Sequence, residues 1–231
     1  MSKILYASAI GSIMYAILCT CSDVACGLSM TSRYQNNPDE SHWTAAKNIL
    51  KYLKRTKDMF LVCGGDEELV VSGYTDASFQ TDRDDSRSQS GYVFLLNGGA
   101  VSWKSSKQDT VADSTTKVEY IAASEATKEA VWIRKFVCEL GVIPRILCLI
   151  DVYCDNNGAI AQAKEPRSHQ KSKHIERRYH LIRKIIDRCI VKICRVPTDT
   201  NVADPLTKPL PQSKHESHRA VIGLRRISEW F

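Results

Sequence analysis

The stretch Gly73-Tyr74-Thr75-Asp76-Ala77-Ser78, which follows the apolar run Leu69-Val70-Val71, constrains the fold of this chain more than any other. It reads as the end of a β-strand that carries one carboxylate, Asp76, to a sheet edge. Three later acids fall in comparable settings. Glu119 lies near the start of a long helix, Asp155 ends a second apolar strand, and Asp204 begins a short helix after a third. Each lies one supersecondary unit beyond the last. Four acids gathered by an α/β sheet have one common chemical use, which is to hold divalent metal against a phosphodiester.

The surrounding pattern supports such a sheet. Gly91-Tyr92-Val93-Phe94-Leu95-Leu96 and Ala100-Val101-Ser102-Trp103 flank Asn97-Gly98, the strongest short hairpin signal. Thr115 to Leu140 reads as a long helix closed by Gly141 and Pro144, with Ala123, Ala126, Ala130, Ile133, Val137 and Leu140 on one stripe. Carried back one turn, the stripe reaches Glu119 and aims its carboxylate at the sheet. A capping box, Thr116-x-x-Glu119, is the structural alternative, and local sequence leaves both open. Leu147 to Cys154 and Ile190 to Cys194 read as strands, Ala159 to Lys164 and His174 to Cys189 as helices, and Asn201 as the cap of the short helix carrying Asp204. The expected order is β-β-β-α-β-α-α-β-α, a mixed five-stranded sheet flanked by helices.

Residues 1–66 read instead as helices, the first ending near Cys21, the second running from about Asp23 to Tyr34. Ser41 is the expected cap of the third, whose apolar face holds Trp43, Ala46, Ile49, Leu50 and Leu53. Gly64-Gly65-Asp66 marks the boundary. The expected organisation is a helical unit over 1–66, an α/β unit over 67–210 and a C-terminal tail or helix over 211–231. With 231 residues, 43% of them hydrophobic, the chain can bury one good core and a smaller unit.

Charge and cysteine usage narrow the function classes. The net charge is +6, and residues 164–195 hold eleven Lys or Arg against three acids, so the positive field is local and suits a polyanionic partner. The alternative for such a run is a solvated helix face. Nine cysteines include no Cys-x-x-Cys pair, which argues against a thiolate metal site and for a reduced, intracellular setting. Ile4 to Ser22 is uncharged and raises a signal peptide, but Ser8, Gly11, Ser12 and Thr20 interrupt it. Ile10, Ile13, Met14, Ile17, Leu18 and Cys21 fall at helical spacing, so a buried amphipathic helix is expected and no membrane partner. No Gly-x-Ser-x-Gly elbow is present for a serine hydrolase.

Seven short motifs, in this order and spacing, resemble the C-terminal part of the Pol polyprotein of copia-type LTR retrotransposons. They are Tyr74-Thr75-Asp76-Ala77, Ser88-Gln89-Ser90-Gly91-Tyr92, Ser102-Trp103-Lys104-Ser105-Ser106-Lys107-Gln108, Glu119-Tyr120-Ile121-Ala122, Tyr153-Cys154-Asp155-Asn156, Lys173-His174-Ile175 and Ala203-Asp204-Pro205-Leu206-Thr207-Lys208. The resemblance implies a ribonuclease H-like fold over residues 73–210. Ser8-Ala9-Ile10-Gly11-Ser12 and Asn37-Pro38 with His42-Trp43 resemble the thumb or connection helices that end the reverse transcriptase. The polymerase's aromatic-x-Asp-Asp metal motif is absent, as are fingers and palm.

The resemblance implies an endonuclease that hydrolyses the RNA strand of RNA/DNA hybrids. Asp76, Glu119, Asp155 and Asp204 would be the catalytic, metal-holding acids, for two Mg²⁺ ions with Mn²⁺ able to substitute. Lys171, Lys173, His174, Arg177 and Arg178 would hold the nucleic acid, and the rest of the reverse transcriptase would be a partner within a polyprotein. One departure stands out: Lys117 occupies a position that is usually Glu in this family. Two residues along a helix is about 200° of rotation, so Lys117 is expected to face away from Glu119. The rival reading is a decayed or domesticated nucleic-acid-binding module of the same fold.

Overall fold

A computed structural model of the chain describes residues 5–64, 69–82, 85–141, 149–164 and 181–226. Its centre is a five-stranded sheet in the order β4-β3-β2-β5-β6, from β2 (Val71–Ser78), β3 (Gln89–Leu96), β4 (Gly99–Lys107), β5 (Ile150–Cys154) and β6 (Val191–Arg195). The first three strands pair antiparallel; β2 with β5 and β5 with β6 pair parallel. Asn97 and Gly98 turn the β3–β4 hairpin at φ of 46° and 77°, the left-handed pair that a tight turn between twisted strands needs. Parallel neighbours cannot be joined by a hairpin. The helix α4 (Thr115–Glu139) therefore intervenes before β5, and α5 (Asn157–Lys164) with helical residues 181–187 before β6.

β3 reads as a continuous apolar run because both of its faces are covered. Phe94 packs with Tyr120, Ala126, Ala130 and Ile133 of α4, while Val93 and Leu95 point to the opposite side. There they meet α1 (Tyr6–Cys19), α2 (Ala25–Ser32) and α3 (Glu40–Arg55) through Tyr6, Ile10, Ile13, Ile17, Leu28, Ala46 and Ile49. The apolar stripes are narrower than the sequence suggests: Met14, Leu18, Leu50 and Leu140 are exposed. Asp39, not Ser41, caps α3. Its carboxylate accepts from His42 N at 2.9 Å, the His42 ring accepts from Asp39 N, and Ser41 Oγ donates to the same carboxylate.

Two strands of three residues went unforeseen. β1 (Met59–Leu61) pairs antiparallel with β7 (Leu224–Arg226), which follows the last helix, α6 (Gln212–Val221). Among the described residues, no helix is long and apolar enough to cross a membrane.

Candidate metal centre

The parallel strands β2 and β5 run side by side, so the acids near their C-terminal ends reach the same sheet edge. Asp76 lies in the last turn of pleat of β2, and Asp155 follows the last residue of β5. Glu119 approaches from α4 on one face; its Oε1 accepts from Ala77 N at 3.3 Å. The cap of α4 is Ser114, which places Glu119 beyond the capping-box position, so that structural alternative does not apply.

Asp204 approaches from the other face, on a 3₁₀ turn (Asp204–Leu206). Buried Asn201 fixes that turn to the sheet: its Nδ2 donates to Thr75 O at 3.0 Å and its Oδ1 accepts from Ala203 N at 3.2 Å. Ser105 Oγ adds a bond to Leu206 O at 2.6 Å, and Ser78 Oγ one to Thr207 O at 3.0 Å. Gly91, directly opposite Asp76, is where the turn touches the sheet; a Cβ there would lie 2.6 Å from Leu206 Cβ.

Asp76, Asp155 and Asp204 thus bring ligand oxygens within 4.8 Å of one another, and Glu119, Cys154 and Asp155 form a second group within the same limit. Asp155, half-buried, belongs to both. The other three acids are 6% exposed or less, so their charges are poorly solvated. Burial pushes Asp76 up to about 6, with Lys208 and Thr207 opposing and Asp204 and Asp155 adding to the rise. Burial likewise raises Glu119 well above the usual carboxylate range, reinforced by Asp76 and Asp155. Burial, then the charge of Glu119, pushes the Cys154 thiol up to about 12, so without metal it is a neutral thiol, and a soft donor beside hard oxygens.

The remaining donors are oxygens, the set a hard divalent cation takes. Glu119 Oε2 is buried with no hydrogen-bond partner among the described residues, an arrangement that costs free energy unless a cation or proton completes it. The residues therefore fit the metal that the resemblance implies.

Three side chains around the acids escaped the sequence reading. Thr207 Oγ1 donates to Asp76 Oδ2. Lys208 Nζ lies 3.0 Å from Asp204 Oδ1 and 3.7 Å from Asp76 Oδ2, and Lys214 Nζ, from α6, lies 2.9 Å from Asp204 Oδ2. Lys208 stands four residues after Asp204, a spacing that could have flagged it; Lys214 sits in the segment read only as a tail or helix. Lys117 turns away from the acids to Asp113, at 2.6 Å. Lys171, Lys173, His174, Arg177 and Arg178 lie outside the described residues.

An antiparallel meander extended by two parallel crossover strands, with acids at the strand ends, defines a ribonuclease H-like α/β architecture. No family model matches the chain. It is 42% identical over 224 residues to the retrovirus-related Pol polyprotein from transposon TNT 1-94 of Nicotiana tabacum, covering 97% of this chain and 17% of that protein. It is also 46% identical over 135 residues to the secreted RxLR effector protein 161 of Plasmopara viticola, covering 58% of this chain and 94% of that protein. Ribonuclease H1 from the halophilic archaeon Halobacterium salinarum is similar in structure, with 19% identity, a TM-score of 0.42 and coverage of 59% of this chain and 93% of that one. Over nearly its whole length the chain is similar to the retrovirus-related Pol polyproteins of copia-type transposons. It spans about a sixth of the length of the Pol relatives it matches.

Proposed function

We propose that this segment is the ribonuclease H part of a retrotransposon Pol, a Mg²⁺-dependent endonuclease that hydrolyses the RNA strand of RNA/DNA hybrids. The observation that carries the reading is the meeting of Asp76, Asp155 and Asp204 within 4.8 Å, with the orphaned buried oxygen of Glu119 beside them. Divalent ions held there would supply an activated water and charge stabilisation for the leaving 3′ oxygen. Asp76, Asp155, Glu119 and Asp204 would hold those ions, with Mn²⁺ able to substitute for Mg²⁺. Thr207 and Ala77 N each donate to one oxygen, of Asp76 and Glu119 respectively, which helps to hold these two carboxylates in place.

Lys171, Lys173, His174, Arg177 and Arg178 grip phosphates, and contacts to 2′-hydroxyls select the RNA strand. In this reading residues 1–66 are the end of the reverse transcriptase, 67–210 the nuclease and 211–231 its C-terminal tail or helix. The rest of the polymerase is a partner, and the work is done inside the cell, in a cytoplasmic particle or the nucleus. A labelled hybrid incubated with Mg²⁺, with EDTA, and with Asp76→Asn provides the test. Cleavage should require metal and fall at least about a hundredfold in the variant, some 2.7 kcal/mol of barrier, while hybrid binding persists. Turnover in Asp76→Asn at the wild-type rate would sink the assignment.

One observation favours a second reading, a nucleic-acid-binding module without catalysis. Lys208 and Lys214 supply cations to the acids from within the chain. Metal-independent hybrid binding with no cleavage at any Mg²⁺ or Mn²⁺ concentration would be its signature.

A further inference from the structure

Lys208 and Lys214 arrive at the acid cluster by different routes. Lys208 follows Asp204 by four residues around the same turn, so the element that delivers the carboxylate also delivers its counter-ion. Lys214 comes from α6, whose opposite side rests on the N-terminal helices through His215 Nε2 and Asp23 O, 3.0 Å apart, and through Arg219 to Tyr52. Between them the two ammonium groups occupy both oxygens of Asp204, and Lys208 also faces Asp76 Oδ2.

A cation on Asp76, Asp155 and Asp204 would draw on the same carboxylates. An ammonium 3.0 Å from a ligand oxygen cannot keep its place beside a divalent ion on the same oxygen, because the two like charges would be a few ångströms apart in a poorly solvated site. The side chain has somewhere to go. Lys208 is 35% exposed, against 0% for Asp204 and 2% for Asp76, so its four-carbon stem can swing the ammonium toward solvent while the acids stay fixed.

We propose that Lys208 is the built-in counter-ion of the metal-free centre, a cation exchanged for the divalent ion on binding. Lys214, on the other oxygen of Asp204 at 2.9 Å, is also paired with Asp199 at 3.5 Å, a second acid outside the cluster that retains it. The inference rests on the reading of the four acids as a metal site. It adds that the affinity for metal is set by competition, and that the acids remain neutralised when no metal is present.

Mn²⁺ affinity of the whole chain, measured calorimetrically for wild type and Lys208→Met, tests the exchange. Met keeps the length of the stem and removes the charge. Mn²⁺ should bind the variant on the order of tenfold tighter, because the competing ammonium is gone, and the metal-free variant should melt at a lower temperature. Equal or weaker Mn²⁺ binding by Lys208→Met would overturn the proposal while leaving the metal site standing. No Mn²⁺ binding by either protein would overturn the metal reading and this inference with it.

Should Lys208→Met fail to fold, the wild type carries the test alone. The Nζ resonance of Lys208, assigned by its loss in Lys208→Arg, should shift and broaden as Ca²⁺ is added to saturation. A resonance unmoved by saturating Ca²⁺ would show that the ammonium and the metal do not share a place, and the proposal would fall.

Discussion

Gly91 sits directly across the ladder from Asp76, and Leu206 fills the space that its missing side chain leaves. A residue with no metal-binding chemistry thereby sets the separation of two acids. The turn that carries Asp204 can lie on the sheet only where the sheet has no side chain to lift it off. Gly91→Ala would put a Cβ 2.6 Å from Leu206 Cβ, 2.9 Å from Thr207 Cγ2 and 3.2 Å from backbone. Overpacking of this kind costs about 1–3 kcal/mol, and the shift moves Asp204 away from Asp76. Denaturant unfolding and Mn²⁺ calorimetry should both register the change. Wild-type Mn²⁺ affinity in a destabilised Gly91→Ala would mean the turn keeps its place by other bonds.

The acids give the metal-free protein an inverted pH dependence. Burial raises Asp76 from its ordinary value near 3.8 to about 6, and raises Glu119 as well. Between those limits the folded state binds more protons than the unfolded chain, so the unfolding free energy falls as pH rises through the window. A loss on the order of 2–3 kcal/mol between about pH 4 and pH 6 is expected from Asp76. The exposed acids Asp39, Asp85 and Asp113 are lowered by their hydrogen bonds and titrate below the window. Burial lowers His218, which loses stability as pH falls below about 6.5 and so opposes the trend at its upper end. Chemical unfolding in EDTA across pH 4–7, in wild type and His218→Gln, measures both contributions. Stability rising steadily with pH in His218→Gln would contradict the buried, strained state of the two acids.

Lys117→Glu should change little. Lys117 is engaged with Asp113 on the outer side of α4, and exposed ion pairs are worth about 0–1 kcal/mol. A Glu there loses that pair but sits in the first turn of the helix, where negative charge is favoured by about 0.3–1 kcal/mol. Hybrid cleavage within a few-fold of wild type is expected. An increase of about a hundredfold would show that Lys117 disables the centre, and would favour the binding-module reading.

The basic run has its own signature. If Lys171, Lys173, Arg177 and Arg178 contact phosphates, replacing all four by Ala should lower the log–log salt slope of hybrid binding by about three. A solvated face predicts only a small loss that vanishes at moderate salt, since charges are screened beyond about 10 Å. Affinity for a non-cleavable hybrid across a salt series in Ca²⁺ separates the two; an unchanged slope would mean the hybrid is held elsewhere.

What could be read from the sequence was whatever has a local cause. Asn97-Gly98 names its turn, and the apolar runs ending at Asp76 and Asp155 name their strands, because turn chemistry and strand patterning act within a few residues. Glu119 was ambiguous because a helix stripe and a capping box look alike until the cap, here Ser114, is known. The β1–β7 pair was invisible: two three-residue strands from widely separated stretches of the chain carry no periodicity to detect. Lys208 and Lys214 were missed for a related reason. A lysine in a motif reads as a surface charge until folding sets it against buried acids.

The helices α1 to α3 cover Val93, Leu95 and Ala100, so the face of the sheet that carries the Asp204 turn is built partly by residues upstream of Gly64. A fragment trimmed to begin at the first strand of the sheet would bare an apolar surface, together with the unpaired edge of β7. On the reading proposed above, any boundary placed upstream of β2 thus decides whether the α/β unit keeps its own floor. A boundary drawn through that layer would leave each side holding half of one core.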